Sequence, residues 1–256
     1  MLRTVLQSHV GKVRQVNEDQ AWSGRLAGGL TAAIVADGMG GHRAGDVASS
    51  LAVDSLVQSL QSWGDAASVK EGAPALKEMI RKANKVVFET ASLNEQYHNM
   101  GTTVVIVLMD GNAGLVGHIG DSRAYRLREG RLEQLTEDHT LVNELTKSGQ
   151  ISPEEAAVHP RRNVLTRALG TDREVEADIQ LIEWRDGDVL LLCSDGLSGL
   201  VEPADVQATL EASGFVLEQQ AQRLIDLALT AGGDDNITVV LVADDSRSYA
   251  AGGESA

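Results

Sequence analysis

Carboxylates that close apolar runs constrain this chain most. Five short segments each set an acidic residue beside glycine or asparagine at an expected strand end: Asn17-Glu18-Asp19, Asp37-Gly38-Met39-Gly40-Gly41-His42, Gly120-Asp121-Ser122-Arg123, Ser194-Asp195-Gly196 and Asp234-Asp235-Asn236. Burying a bare carboxylate is costly unless it is paired or bound to a metal, so these are poor core positions and good ligands. They lie far apart in sequence, and the fold must gather them.

Apolar runs enriched in β-branched residues predict strands at Leu30–Ala36, Thr102–Met109, Gly114–Ile119, Ala124–Leu127, Val189–Ser194 and Ile237–Ala243. Helical spacing holds over Ala44–Trp63, through Val47, Leu51, Val53, Leu56, Val57 and Leu60, and over Ala73–Leu93, through Leu76, Ile80, Ala83, Val87 and Leu93. Two further helices are predicted at Pro203–Ala212, with proline in the opening turn, and at Leu217–Ala231. Strands and helices come in blocks, without the regular alternation of a parallel doubly wound sheet. Between Thr102 and Gln134 the connections are short, with turn residues at Asp110-Gly111-Asn112 and Glu129-Gly130, which predicts an antiparallel meander. The expected fold class is α+β, with helices covering antiparallel sheets.

No Pro/Ser/Gly-rich linker divides the 256 residues, and 43% hydrophobic content suffices for a sizeable core, so one domain is expected. Aromatics are only 3%, which leaves Val, Leu, Ile and Ala to fill that core. A formal net charge of −15 with no basic tract speaks against a nucleic-acid partner. Cys193, the sole cysteine, sits inside an apolar run, so a buried structural thiol and a reducing compartment are expected. No window approaches the roughly 20 apolar residues of a membrane helix, and the N-terminus lacks a signal pattern; a cytoplasmic protein with no membrane partner is the expectation. The more polar stretch 137–172, with helical patterns around Leu141–Lys147 and Pro153–Ala157 and the basic pair Arg161-Arg162, reads as a flap, and 246–256 as a disordered tail.

Oxygen-only ligand sets select hard ions such as Mg²⁺ or Mn²⁺, and six scattered histidines without HExxH or Cys/His spacing give zinc little support. Two ions bridged by a carboxylate would lower the pKa of a water held between them. The segment Asp37–Gly45 would let backbone approach an ion or anion, although its glycines also suit an ordinary tight turn. Arg43 stands where a dinucleotide fingerprint needs its third glycine. A cysteine phosphatase would require arginine six residues after Cys193, where Gly199 stands. Asp186-Gly187-Asp188 precedes its strand and reads as a surface turn, no Gly-Asn-His segment follows Gly120-Asp121, and no Gly-Lys-Ser/Thr phosphate loop occurs.

Taken in order, the segments resemble the metal-dependent Ser/Thr protein phosphatases of the type 2C (PPM) class, especially compact bacterial members. The match runs from about Ser8 to Ala243 through Gly11-x-x-Arg14-x-x-Asn17-Glu18-Asp19, Ala36-Asp37-Gly38-Met39-Gly40-Gly41-His42, Met100-Gly101-Thr102-Thr103, His118-Ile119-Gly120-Asp121-Ser122-Arg123-Ala124-Tyr125, Leu135-Thr136-x-Asp138-His139, Leu165-Thr166-Arg167-Ala168-Leu169-Gly170, Cys193-Ser194-Asp195-Gly196-Leu197 and Asp234-Asp235-Asn236-Ile237-Thr238. Any one segment is weak, but the ordered set is specific.

The resemblance implies a sandwich of two antiparallel sheets between helices, in α-β-β-α layers, with a dimetal centre at one end, all within a catalytic domain over 1–245. It implies Mn²⁺ or Mg²⁺ as cofactor: Asp37 bridging two ions, the Gly38 carbonyl on one, Asp195 and Asp235 on the other, Asp19 and Glu18 acting through metal-bound water, and a third ion at Asp121 with Asp195. Arg14 would grip phosphate with its planar fork, though a surface arginine has the same spacing. Attack by the bridging water or hydroxide on phosphoserine or phosphothreonine is implied, with His42 as candidate general acid; His42 could equally order water or cap the next helix. His118 is expected to be packed or hydrogen-bonded, and His9, His98, His139 and His159 to be weaker candidates still. Arg161, Arg162 and Arg167 suit either substrate guidance or a solvated face. The implied partners are phosphorylated proteins and a bacterial Ser/Thr kinase with its substrates, the protein acting as a monomer. A catalytically idle binding scaffold and a small-phosphoester hydrolase stand as alternatives.

Overall fold

The computed structural model describes residues 1–41, 44–63 and 68–244. Strands β1 (Leu2–His9), β2 (Asp19–Arg25) and β3 (Thr31–Met39) lead into helices α1 (Ala44–Gln61) and α2 (Ala73–Leu93). Strands β4 (Gly101–Thr102), β5 (Val104–Met109), β6 (Ala113–Ile119), β7 (Arg123–Arg128) and β8 (Arg131–Gln134) follow. Short helices α3 (Leu141–Lys147) and α4 (Pro153–Ala157) precede β9 (Asp178–Glu183) and β10 (Val189–Cys193). Helices α5 (Asp195–Ser198), α6 (Pro203–Glu211) and α7 (Leu217–Ala231) then lead to β11 (Ile237–Asp244).

Two antiparallel sheets result. One runs β1-β11-β10-β7-β8, the other β2-β3-β5-β6-β9 with β4 on the end of β3. Between them pack Ala33, Val35, Val105, Val107, Leu190, Leu192, Val240 and Val242. The alternate side chains of the same strands meet helices: Ile34, Val104, Ile106 and Leu108 lie against Leu56, Leu76 and Ile80 of α1 and α2, and Leu191, Val239 and Leu241 against Leu224, Ile225 and Ala228 of α7. Both faces of the central strands are therefore buried, which is why they read as unbroken apolar runs instead of alternating ones.

The α-β-β-α layering agrees with expectation, and α2 and α7 have the predicted bounds. Helices α1 and α6 end at Gln61 and Glu211, slightly before the predicted Trp63 and Ala212. The meander needs correction. β5 and β6 form a hairpin in one sheet and β7 and β8 a hairpin in the other, so the chain changes sheets at Gly120. The run predicted as one strand from Thr102 breaks at Thr103, whose N–H turns to the Asp37 carbonyl at 2.8 Å. Asp188, read as part of a surface turn, is buried, and the Arg128 fork holds it at 2.8 and 2.6 Å.

The stretch 137–172 holds α3 and α4, capped by Thr140 and by a Ser152–Glu155 capping box. The isolated bridge Thr140–Leu165 closes the base of this stretch on itself, and Thr102–Leu169 ties it to the sandwich. Among the described residues, no helix is long and apolar enough to cross a membrane. His42, Arg43 and the tail 246–256 lie outside the described residues.

Candidate metal centre

The strand register brings the acidic segments to one end of the sandwich. Asp19, the first residue of β2, pairs directly with Asp37 near the end of β3, and directly paired residues share a face. Because β10 and β11 are antiparallel, with Cys193 opposite Val239, Asp195 just past β10 meets Asp235 just before β11. The approach there is tight: a Cβ on Gly196 would lie 1.9 Å from the Asn236 carbonyl oxygen. Asp121 arrives from the end of β6. Glu18, Asp37, Asp121, Asp195 and Asp235 then line a single cavity of about 240 Å³ with Gly38, Met39, Gly40, Thr103, Asn163, Leu165 and Arg14.

Arg14 is the only basic residue among the described residues lining that cavity. It donates from Nη2 to Asp235 Oδ2 at 2.7 Å and is half exposed. One guanidinium cannot balance five carboxylates, and the titration behaviour follows. Burial raises Asp37 well above the usual carboxylate range, and the charges of Asp19, Asp195, Asp121 and Asp235 add to it. Asp19 is pushed up to about 7 by burial, then by Asp195 and Asp235, against the opposing hydrogen bonds from Thr238 and Ser194. Asp121 also rises to about 7, through burial and then Asp195 and Asp138. Asp195 is raised by burial and by Asp235, and Glu18 by burial.

The residues present fit divalent cations. Every donor is oxygen, the charge is in deficit of cations, and Asp19 keeps one buried oxygen, Oδ1, without a hydrogen-bond partner while Oδ2 accepts from Ser194 Oγ at 2.7 Å. Gly38 fits close quarters too: its N–H donates to the Glu18 carbonyl at 3.1 Å, and a Cβ would meet the Gly45 carbonyl oxygen at 2.0 Å.

Several residues without an assigned role hold this frame. Thr103 Oγ1 accepts from the Asp37 N–H at 3.0 Å and meets Ser122 Oγ at 2.7 Å, joining the Asp37 and Asp121 segments. Ser194 Oγ also accepts from the Thr238 N–H at 3.0 Å. Asn236 Oδ1 accepts from the Glu18 N–H at 2.8 Å, and its Nδ2 donates to the Val10 and Val16 carbonyls, each at 2.9 Å, so it ties down the loop that carries Arg14. Ser194 and Asn236 sit inside quoted segments beside a ligand candidate, and that adjacency was the signal available; Thr103 closes the quoted segment Met100-Gly101-Thr102-Thr103, which carries no ligand candidate. Both Asn163 and Leu165 come from the 137–172 stretch; Leu165 opens the quoted segment Leu165-Thr166-Arg167-Ala168-Leu169-Gly170, whereas Asn163 lies in no quoted segment.

The other candidates separate cleanly. Cys193 is buried, and its thiol is pushed up to about 12 by burial, as a structural thiol should be. His118 is buried and its Nε2 bonds the Glu137 carbonyl at 2.8 Å. His139 is equally buried, and burial, then the charges of His118 and Arg167, hold it down at about 4, so its ring is neutral. Arg167 is committed to Asp178 at 2.9 Å, whereas Arg161 and Arg162 are exposed. Arg162 borders a second cavity of about 470 Å³ that shares Asp121, Asn163 and Asp195 with the first.

Known proteins are similar to this chain along nearly its whole length. The sequence model of the family described as Protein phosphatase 2C matches residues 7–231. The Ser/Thr phosphatase stp of Listeria monocytogenes is 41% identical over 235 residues, covering 92% of this chain and 93% of that protein. The PstP phosphatase of Mycobacterium tuberculosis is 43% identical over 94% of this chain, which spans 45% of PstP. Among solved structures, the S. agalactiae Ser/Thr phosphatase superposes with a TM-score of 0.91 at 36% identity, covering 96% of this chain and all of that one. The PstP catalytic domain in complex with two manganese ions superposes with a TM-score of 0.82 at 39% identity, covering 95% and 99%. With a family match over most of the sequence and relatives above 40% identity, the chain belongs to the protein phosphatase 2C family.

Proposed function

We propose that this protein is a Mn²⁺- or Mg²⁺-dependent phosphatase that hydrolyses phosphoserine and phosphothreonine in proteins, opposing a bacterial Ser/Thr kinase. The observation that carries the reading is the cavity of five carboxylates with one arginine at its edge. Asp37, the Gly38 carbonyl, Asp195 and Asp235 would hold the two core ions, Asp19 and Glu18 would order the surrounding shell, and Asp121 with Asp195 would hold a third ion. When bound, such ions supply Lewis-acid stabilisation of the phosphoryl oxygens and acidify water to make it nucleophilic at neutral pH.

The chain's own groups do the rest. Arg14 uses one nitrogen on Asp235, and its fork, half exposed beside the cavity, suits two phosphate oxygens. Thr103 and Ser194 fix the backbone and carboxylate orientations that keep ligands in place through the reaction. Asn163 and Leu165 would narrow access for a phosphoprotein loop. Proton donation to the departing serine or threonine oxygen falls to His42, by its place after Gly41 in sequence. The proposal extends to a single catalytic domain over 1–245 with a flap at 137–172, working in the cytoplasm as a monomer.

The test is phosphate release from a phosphothreonine peptide by chelator-treated protein before and after adding Mn²⁺ or Mg²⁺, with Asp37→Ala as control. Release that needs metal and disappears in the variant supports the assignment. Folded, metal-loaded protein that releases nothing would refute it.

A further inference from the structure

Asp121 is anchored on both sides by two consecutive residues that belong to no ligand set. On one side is Gly120, where the chain changes sheets; its φ is +101°, and a Cβ would lie 2.6 Å from Thr103 Cγ2, so only glycine fits. The Gly120 N–H donates to His139 Nδ1 at 3.1 Å, and the Gly120 carbonyl accepts from the His139 N–H at 3.0 Å. On the other side Arg123 sets its fork on Asp138, with Nε to Oδ1 at 2.8 Å and Nη2 to Oδ2 at 2.6 Å. The dipeptide Asp138-His139 therefore makes both anchors.

The hydrogen bond from Gly120 also fixes the tautomer. An N–H needs a lone pair, so His139 Nδ1 is unprotonated and the neutral ring carries its hydrogen on Nε2. That hydrogen meets Asp178 Oδ2 at 3.3 Å, and Asp178 Oδ1 accepts from Arg167 Nη1 at 2.9 Å. His118 stacks on the ring with centroids 4.6 Å apart. His118, His139 and Asp178 bring their donor atoms within 4.8 Å of one another, the spacing of a metal site. Both nitrogens of His139 are already committed, however, and a protonated Nε2 has no lone pair for an ion. The cluster has the form of a support that orients a ligand through its backbone.

We propose that His139 is a positioning residue for Asp121: held in one tautomer and orientation by Asp178, it fixes the Gly120 peptide and, with the Arg123–Asp138 pair, holds the Asp121 carboxylate where it and Asp195 share an ion. The inference rests on the ligand role proposed above for Asp121.

Two substitutions separate the two nitrogens. In His139→Asn the amide oxygen stands near the place of Nδ1 and still accepts from Gly120. In His139→Gln the longer amide reaches toward Asp178 and leaves Gly120 without an acceptor. Mn²⁺ alone would be titrated calorimetrically into the chelator-treated full chain, and exchange of the Gly120 amide followed by NMR. His139→Gln should weaken the weaker class of Mn²⁺ sites at least about tenfold and speed Gly120 exchange, with the tight class unchanged within about twofold. His139→Asn should stay within about threefold of the parent in both readouts. Asp178→Ala, at a half-exposed side chain, should weaken the same class severalfold. Equal losses in the Asn and Gln variants, parent-like binding in the Gln variant, or a parent isotherm with no weaker class would each overturn the proposal. These readouts need no turnover, so a chain that binds Mn²⁺ as described but releases no phosphate would defeat the functional reading and leave this one standing.

Discussion

Replacing Asn236 by alanine should damage stability and substrate binding together. The side chain is 4% exposed and makes three hydrogen bonds, to the backbone of Glu18, Val10 and Val16. At about 1 kcal/mol net for each bond, with Val10, Val16 and Glu18 left short of partners, the loss should be about 3 kcal/mol. For a chain of this size each kcal/mol lowers Tm by about 2–4 °C, so the fall should be roughly 6–12 °C. The melts belong in chelator, where metal binding adds no stability of its own. Steady-state kinetics on a phosphothreonine peptide supply the second readout. Val10 and Val16 flank Arg14, so freeing them should raise KM severalfold while kcat falls less. Asn236→Asp keeps the acceptor for Glu18 but faces bare oxygen toward two carbonyls, and should cost at least as much. A stability loss below about 1 kcal/mol, or a full loss with KM unmoved, would refute the idea that this amide fastens the arginine loop.

Three further outcomes are expected. In chelator the protein should lose stability as pH rises from about 4 to about 7, because Asp19 and Asp121 are raised from 3.8 to about 7 in the folded state, which therefore keeps protons that the unfolded chain releases; thermal melts from pH 5 to 8 that stay level or climb would contradict this, and added Mn²⁺ should stabilise most at the alkaline end. Arg14→Lys should raise KM about tenfold with kcat little changed, since lysine offers a point charge in place of a fork, and an unaltered KM would count against phosphate binding there. Asp121→Ala should leave tight Mn²⁺ binding in place and lower the rate at limiting metal; an unchanged rate would remove the need for a third ion.

Burial decided which strands were legible. β3, β5, β6, β10 and β11 are covered on both faces, and their sequences are nearly continuous apolar runs. The four strands with no run of their own in the sequence are the four sheet edges, β1, β2, β8 and β9, with β8 visible only as the tail of the expected meander. Edges bury less and carry residues such as Arg3, Gln7, Gln20, Arg131 and Gln180. The change of sheet at Gly120 was hidden for a different reason: a turn signal says that a strand ends, not which sheet takes the next. At the metal centre the carboxylates were readable as an ordered set of segments, since a single acid closing an apolar run can equally serve a turn, as Asp110 does by accepting from the Asn112 and Ala113 N–H groups. Asn163 and Leu165 reach the cavity through a long irregular segment; Leu165 opens a quoted segment, but nothing local to Asn163 encodes that approach.

β11 lies between β1 and β10, in the interior of its sheet, although it is the last described strand to leave the ribosome. Until it arrives, β1 has no neighbour in that sheet, β10 shows an open edge, and Asp235, which leads into β11, is not yet in place. Domains tend to fold as units during synthesis, and here the unit closes only with its final strand. A nascent chain therefore has neither a finished sandwich nor the full set of proposed ligands, and on that assignment it should not strip phosphate from neighbouring proteins before translation has delivered residues 235–244.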